Sequence, residues 1–260
     1  MGQSSPPRPP PDRGLDRAEV RVREGPMERL PAIPFWEALG EAERALLRRA
    51  GRVREFRPGA EPLCFEGDAS THVIIIMEGW AKVISPTGSG REVVLAVRGP
   101  GDMVGEVSAM FDRPRSATVQ PLVNITALSV PAQRFRTFLD DNPQCWWPLM
   151  ATVVDRMGDL GNRLRVHAGS DGTCRLAHLL VHLAELSLRY RPATADGRIQ
   201  ILPPLSQADL GSWVDASRET AARGFGELRD QGLVATAYKK VTVLDLPGLR
   251  GFVARCATDS

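Results

Sequence analysis

The sequence predicts an α+β protein in three parts: an N-terminal antiparallel β jelly-roll barrel over residues 31–141, a long helix over 142–168 and a C-terminal winged helix-turn-helix over 169–260. Three observations lead to this. Between Val53 and Ala127, short runs of Val, Ile, Leu and Phe alternate with glycine-bearing turns, as strands of an antiparallel barrel do. Met150, Val153, Met157, Leu160 and Leu164 then recur at intervals of three and four, the a and d positions of a helical seam. Finally, Ser206 and Ser217 each open a short amphipathic segment, giving two helices separated by a tight turn.

Composition narrows the function classes. A chain of 260 residues, 43% apolar and 25% charged, can bury two hydrophobic cores of ordinary size. Its net charge of +2 supplies no global field for nucleic acid, so any such binding must come from local Lys and Arg clusters. Cys64, Cys145, Cys174 and Cys256 form no C-x-x-C pair. That argues against a zinc ribbon or an iron-sulfur cage and fits a reducing cytoplasm, the expected location. The longest bulky apolar run, Val73–Met77, falls far short of the roughly 20 residues of a membrane span. Nothing near the N-terminus resembles a signal peptide. Residues 1–30, rich in proline and arginine, are expected to form a disordered tail.

Along the chain, apolar residues three and four apart from Ile33 to Leu47 predict a short helix packed on the barrel. Phe135–Leu139 supplies a further helical turn that closes the barrel. Asn142-Pro143 reads as a helix cap with proline at the first position, although Pro148 makes a later start the alternative. The segment from Gly169 to Gly172 reads as a hinge, and Leu176, Leu179, Leu180, Leu183 and Leu186 mark the core face of the next helix. His178 and His182 stand one turn apart outside that stripe, with Glu185 nearby. They have metal-binding chemistry but lack a third ligand, and no metal site is expected.

The most chemically informative stretch is Val104–Val119. Gly105 lies between apolar neighbours where no hairpin is required, so its role is to let main-chain N–H groups, Val107 among them, approach an anion. Arg115 can form a bidentate pair with phosphate oxygens, and the Ser116 hydroxyl and Ala117 N–H can complete a cradle. Glu106 is out of place beside phosphate and suits a ribose hydroxyl.

Gly105-Glu106 followed by Pro114-Arg115-Ser116-Ala117-Thr118-Val119 resembles the phosphate-binding cassette of cyclic-nucleotide-binding domains. The resemblance implies cyclic AMP as ligand, with cyclic GMP as the alternative because the Ser116 hydroxyl suits a guanine amino group. It extends to catabolite-activator-like members of the CRP/FNR family, whose long helix both dimerises and touches the nucleotide base. Arg156 falls where such members place an arginine near the cassette acid. Their base-contacting Thr-Ser pair does not carry over, since Leu160 and Gly161 stand at the matching positions.

In the C-terminal part, Ser206 and Asp209 make a capping-box-like start, with Leu210, Trp213 and Val214 as the buried face. Ser217 caps a second helix that runs to about Gln231 and stops at Gly232. Ala221, Phe225 and Leu228 face inward, leaving Arg218, Glu219 and Arg223 outward, where Arg can read guanine and Glu can accept from a cytosine amino group. Leu233–Ala237 and Val241–Leu244, turning at Tyr238-Lys239-Lys240, form a wing whose lysines can meet phosphate. The Ser217-Arg218-Glu219-Thr220 run followed by Arg223 is similar to the CRP/FNR recognition helix, except that Asp215 stands where the turn usually has glycine.

The resemblance therefore implies a homodimeric, ligand-gated transcription regulator without catalytic residues. It would bind a pseudo-palindromic DNA site and work with RNA polymerase. Three rivals are weighed against it. Scattered cysteines disfavour an iron-sulfur or haem sensor, and a jelly-roll metalloenzyme needs more histidines than His72, the only one in the barrel. Leu160 and Gly161 are the best support for a regulator that binds DNA without a small ligand.

Overall fold

Two antiparallel sheets form the N-terminal half of a computed structural model that describes residues 33–256 except Ser89. The expected tail lies outside the described residues. Strands β1 (Arg52–Phe56), β2 (His72–Glu78), β3 (Ala81–Pro86), β4 (Glu92–Arg98), β5 (Met103–Val104), β6 (Thr118–Pro121) and β7 (Ile125–Pro131) divide into sheets ordered β1-β7-β2-β5 and β4-β3-β6. β2 shows why its run is apolar at every position. Ile74 and Ile76 point into the space between the sheets with Ala81 and Val119, whereas Val73 and Ile75 point outward beneath the helices. A strand buried on both faces has no solvent side to make polar.

Those helices are α1 (Phe35–Ala38), α2 (Glu41–Ala50), α3 (Glu106–Met110) and α4 (Ala132–Asp141). The single helix expected after Ile33 is broken in two, because Leu39 is extended and Gly40 starts α2 as its N-cap. Phe35 packs edge-on against Phe135, ring centroids 6.1 Å apart, and fastens α1 to α4.

Helix α5 (Trp146–Gly169) spans about 36 Å at the usual rise per residue. Asn142 does not cap it. The Asn142 side chain donates to the Phe138 carbonyl at 2.8 Å and closes α4, and a 3-10 turn, Pro143–Cys145, intervenes. Pro148 sits in the first turn of α5, where a missing N–H leaves no bond unmade. The exposed apolar stripe of α5 runs through Met150, Val154, Met157, Leu160 and Leu164, with Met157 69% and Leu164 64% exposed. The expected Val153 is half-buried and Val154 takes its place, since one side of the helix is committed to the barrel.

The C-terminal part comprises α6 (Gly172–Leu188), β8 (Ile199–Gln200), α7 (Gln207–Trp213), α8 (Arg218–Asp230), β9 (Val234–Ala237), β10 (Lys240–Val243) and α9 (Leu246–Cys256), its sheet ordered β8-β10-β9. The hinge is short: Ser170 ends α5, and the Asp171 side chain caps α6 by accepting from Cys174 N at 2.8 Å. Leu176, Leu180 and Leu183 pack against Leu210, Phe225, Leu228 and Leu249, each large side chain contributing about 1.5–3 kcal/mol by burial. A disulfide between Cys174 and Cys256 joins the start of α6 to the end of α9. This pair runs against the expectation, drawn from the scattered cysteines, of a reducing compartment, and its separation of 82 residues carries no motif that would signal it. Trp80, Ile84, Val94 and Val97 of the barrel belong to the same apolar cluster as the C-terminal helices. No helix among the described residues is long and apolar enough to cross a membrane.

Candidate functional site

Gly105 opens α3 with a left-handed φ of 78°, and a Cβ added there would run into the Arg115 guanidinium. Glycine is thus required twice, for its backbone conformation and for a side chain lying against it. Arg115 is only 6% exposed. It donates to the Gly105 carbonyl at 2.9 Å and to the His72 carbonyl, while its main chain pairs with Gly67 and Asp68. The guanidinium therefore stitches the cassette to the start of β2.

Glu106, 3% exposed, is the most deeply buried carboxylate of the site. Its Oε1 accepts from Arg156 of α5, and its Oε2 is buried with no partner among the described residues. A hydroxyl donor would satisfy that oxygen. Gly105, Glu106, Arg115 and Arg156 are thus brought together from three elements. Ser116 is exposed and Ala117 half-buried, the latter's carbonyl accepting from Cys64 Sγ at 3.9 Å. Val107 directs its side chain to solvent and has only its main chain to offer. Sequence reasoning missed Arg136, which binds the Ala109 carbonyl and Asp112 and fixes the cassette loop to α4. An arginine on a polar helix face gives no local sign of that role.

Beyond Arg156 lies a cavity of about 300 Å³ between β4, α5 and α6. Burial, reinforced by Arg156, pushes Arg98 on its floor down to about 10, which leaves it a cation at neutral pH. Leu160, His178 and His182 line the cavity. Glu185 instead pairs with Arg250 of α9 at 2.7 Å.

In the C-terminal part, Ser206 Oγ accepts from Asp209 N at 3.1 Å and Asp209 Oδ2 accepts from Ser206 N at 3.0 Å, a reciprocal cap. Asp215 adopts φ 50° at the turn, and Ser217 Oγ accepts from Thr220 N at 3.0 Å to start α8. Ala221, Phe225 and Leu228 are buried; Ser217, Arg218, Glu219 and Arg223 are exposed together on the opposite side. The wing turns at Tyr238-Lys239, with Tyr238 87% exposed, Lys239 Nζ 5.8 Å from its ring centroid and Lys240 exposed at the start of β10.

The two halves are also tied by side chains. Lys82 Nζ lies 2.7 Å from Asp209 Oδ1, Arg91 pairs with Asp215, and Ser212 Oγ donates to the Glu92 carbonyl at 2.7 Å. Arg163 of α5 donates to the carbonyls of Leu95 and Trp213 at 3.1 and 2.7 Å. Burial alone would raise the Asp209 carboxyl, but hydrogen bonds from Lys82 and Ser206 outweigh it and hold the group below its ordinary 3.8.

A jelly-roll barrel joined by a long helix to a winged helix-turn-helix defines a DNA-binding protein that carries a small-ligand domain. Comparison with known proteins narrows the class. Residues 53–142 match the family model of the cyclic nucleotide-binding domain, and residues 174–252 that of the Crp-like helix-turn-helix domain. The chain is 26% identical over 217 residues to the CRP-like cAMP-activated global transcriptional regulator of Mycobacterium tuberculosis, covering 77% of this chain and 95% of that protein. It is 26% identical over 187 residues to the cAMP-activated global transcriptional regulator CRP of Escherichia coli, covering 72% of this chain and 87% of the relative. Its fold is similar to that of FixK2 from Bradyrhizobium japonicum, with a TM-score of 0.67 at 16% identity over 77% of this chain and 96% of that one. The chain belongs to the CRP/FNR family of DNA-binding transcription regulators.

Proposed function

We propose that the chain is a homodimeric transcription regulator of the cytoplasm gated by a cyclic nucleotide, cyclic AMP in first place and cyclic GMP as the alternative. The observation that carries the ligand is Glu106, a buried carboxylate with one oxygen held by Arg156 and the other unpartnered, as a ribose hydroxyl requires. Gly105, Val107, Arg115, Ser116 and Ala117 would receive the cyclic phosphate. Ser217, Arg218, Glu219 and Arg223 would enter the major groove, with Lys239 and Lys240 on flanking phosphates. The exposed stripe of α5 would pair with a second copy, so that two recognition helices meet a pseudo-palindromic site one helical turn apart, beside RNA polymerase. Two of the relatives are named as cAMP-activated, which supports the ligand and the direction of control.

Gating requires only that the nucleotide bind one dimer geometry better than the other. Shifting the equilibrium from mostly inactive to mostly active takes about 5 kcal/mol. Charge-assisted contacts at Arg115 and Glu106, roughly 1.5–3 kcal/mol each, are of that order. Titration calorimetry of the full chain with each nucleotide is the test: heat with cyclic AMP, abolished by Arg115→Leu, is expected. Absence of heat with both nucleotides would sink the ligand assignment.

A further inference from the structure

The disulfide of the C-terminal half sits at one mechanically important place. Cys174 is the third residue of α6 and Cys256 the last residue of α9, and the chain between them carries α7, α8 and both strands of the wing. The first turn of α6 is the seat of the helix-turn-helix. Gly172 lies so close to α8 that an added Cβ would stand 2.4 Å from Thr220 Cγ2, and Thr173 and Leu176 lie against Gly224. Thr220 N in turn donates to the Ser217 cap at 3.0 Å, in the turn that carries Arg218 and Glu219. Arg175, next to Cys174, donates to the carbonyls of Ser170 at 3.1 Å, Val214 at 2.9 Å and Asp215 at 3.4 Å, so one guanidinium spans the hinge and the turn before α8.

On the other side of the bond, Leu249 and Phe252 of α9 share an apolar cluster with Leu176, and Cys174 packs against that cluster. Helix ends are where local opening begins, and Cys256 is the end of α9. Opening the pair therefore frees the α9 end from the turn on which α8 rests. The two sulfurs differ in access: Cys174 is half-buried and Cys256 only 9% exposed, so a reagent from solution meets Cys174 first. Cys64 and Cys145 are free and both belong to the N-terminal half. In a cytoplasm that keeps ordinary thiols reduced, disulfides are mostly transient redox devices.

We propose that Cys174 and Cys256 form a reversible thiol–disulfide site through which the thiol pool of the cell sets DNA affinity, the oxidised form holding α8 in its binding geometry. The oxidant is a low-molecular-weight disulfide. The Cys174 thiolate attacks one of its sulfurs, forming a mixed disulfide and releasing one small thiol. Cys256 loses its proton and attacks Cys174 Sγ, which expels the second small thiol. Two protein thiols are thereby oxidised by two electrons, and one small disulfide is reduced to two thiols. Reduction runs through the same steps in reverse.

The test equilibrates the full chain in a series of reduced and oxidised glutathione mixtures, alkylates the thiols under denaturing conditions and weighs the protein. DNA affinity is measured at the same ratios, with and without cyclic AMP, on a duplex selected from random sequence by the oxidised chain. The mass should pass from two alkyl groups to four as the mixture turns reducing, because two of the four cysteines are free throughout. Affinity should fall at least about fivefold over the same interval, and the melting temperature by at least about 5 °C. Cys174→Ser and Cys256→Ser should show the affinity of the reduced form at every ratio. So should the double variant Cys174→Ala, Cys256→Ala, which keeps the apolar contacts and should keep the circular dichroism of the reduced wild type. A pair that never opens or never closes in glutathione would overturn the proposal, and so would an affinity that stays level while the pair opens. A response that persists in the double alanine variant would overturn it too, since Cys64 or Cys145 would then carry the effect. Failure of the oxidised chain to select any duplex would remove its claim to be the binding form.

Discussion

At the scale of single residues, the cassette depends on side chains that meet where no substitute fits. Gly105→Ala introduces a Cβ against the Arg115 guanidinium and a left-handed backbone that alanine resists. The expected result is a loss of about 1–3 kcal/mol in thermal or denaturant stability, together with loss of nucleotide heat in calorimetry. Arg156→Ala leaves the Glu106 carboxylate buried without its cation. Such a removal costs about 3 kcal/mol, more than the pair contributes over an apolar substitute, because an uncompensated charge stays inside. Urea denaturation of Arg156→Ala, alone and combined with Glu106→Gln, checks this, and the second change should restore most of the stability. Both partners were visible in the sequence as candidates. Their roles toward each other were partly legible, since Arg156 was matched to the acid only through the family resemblance. That Arg115 binds the His72 carbonyl was not legible, because a main-chain acceptor 43 residues away leaves no mark on residue type.

At the scale of elements, helix starts follow local rules. The Ser206–Asp209 and Ser217 caps stand where the sequence places them, since a cap needs only partners within three residues. Ser217→Ala should cost about 1 kcal/mol and fray the first turn of α8. Because that turn carries Arg218 and Glu219, DNA affinity in a gel-shift titration should fall along with the melting temperature. Asn142 illustrates the limit of such rules: the same side chain can close the helix before it or open the one after, and packing chose the former. The exposed stripe of α5 runs through Val154 and not Val153 for a related reason, as two heptads do not say which flank the barrel will cover. Met157→Glu places a charge in the middle of the exposed stripe. If α5 is the proposed dimer interface, sedimentation is expected to report a dimer for the wild type and a monomer for the variant.

At the scale of the whole molecule, the sensor and the reader are joined by an ion pair that can be titrated. The Asp209 carboxyl is held below its ordinary value in the folded protein, so the Lys82–Asp209 contact stabilises fully above the ordinary carboxylate range. Its contribution is lost as pH falls through the depressed value. Lys82→Ala should therefore destabilise the chain by about 1–3 kcal/mol at pH 7 and by progressively less below about pH 4. Denaturant melts of both proteins between pH 7 and 3 would reveal that convergence, and parallel curves would show that the pair does not join the halves. What the sequence by itself determined is the order of parts: barrel strands, helix, capped helix pair, wing and cassette. Each is written in periodicities of two or 3.6 residues, or in groups a few positions apart, so neighbours along the chain suffice to specify it. Only the tertiary structure decided which other distant groups meet, such as Lys82 with Asp209 and Cys174 with Cys256. Those encounters depend on how preformed elements dock through their apolar faces, and that docking carries side chains 82 to 127 residues apart into contact without any spacing that announces it.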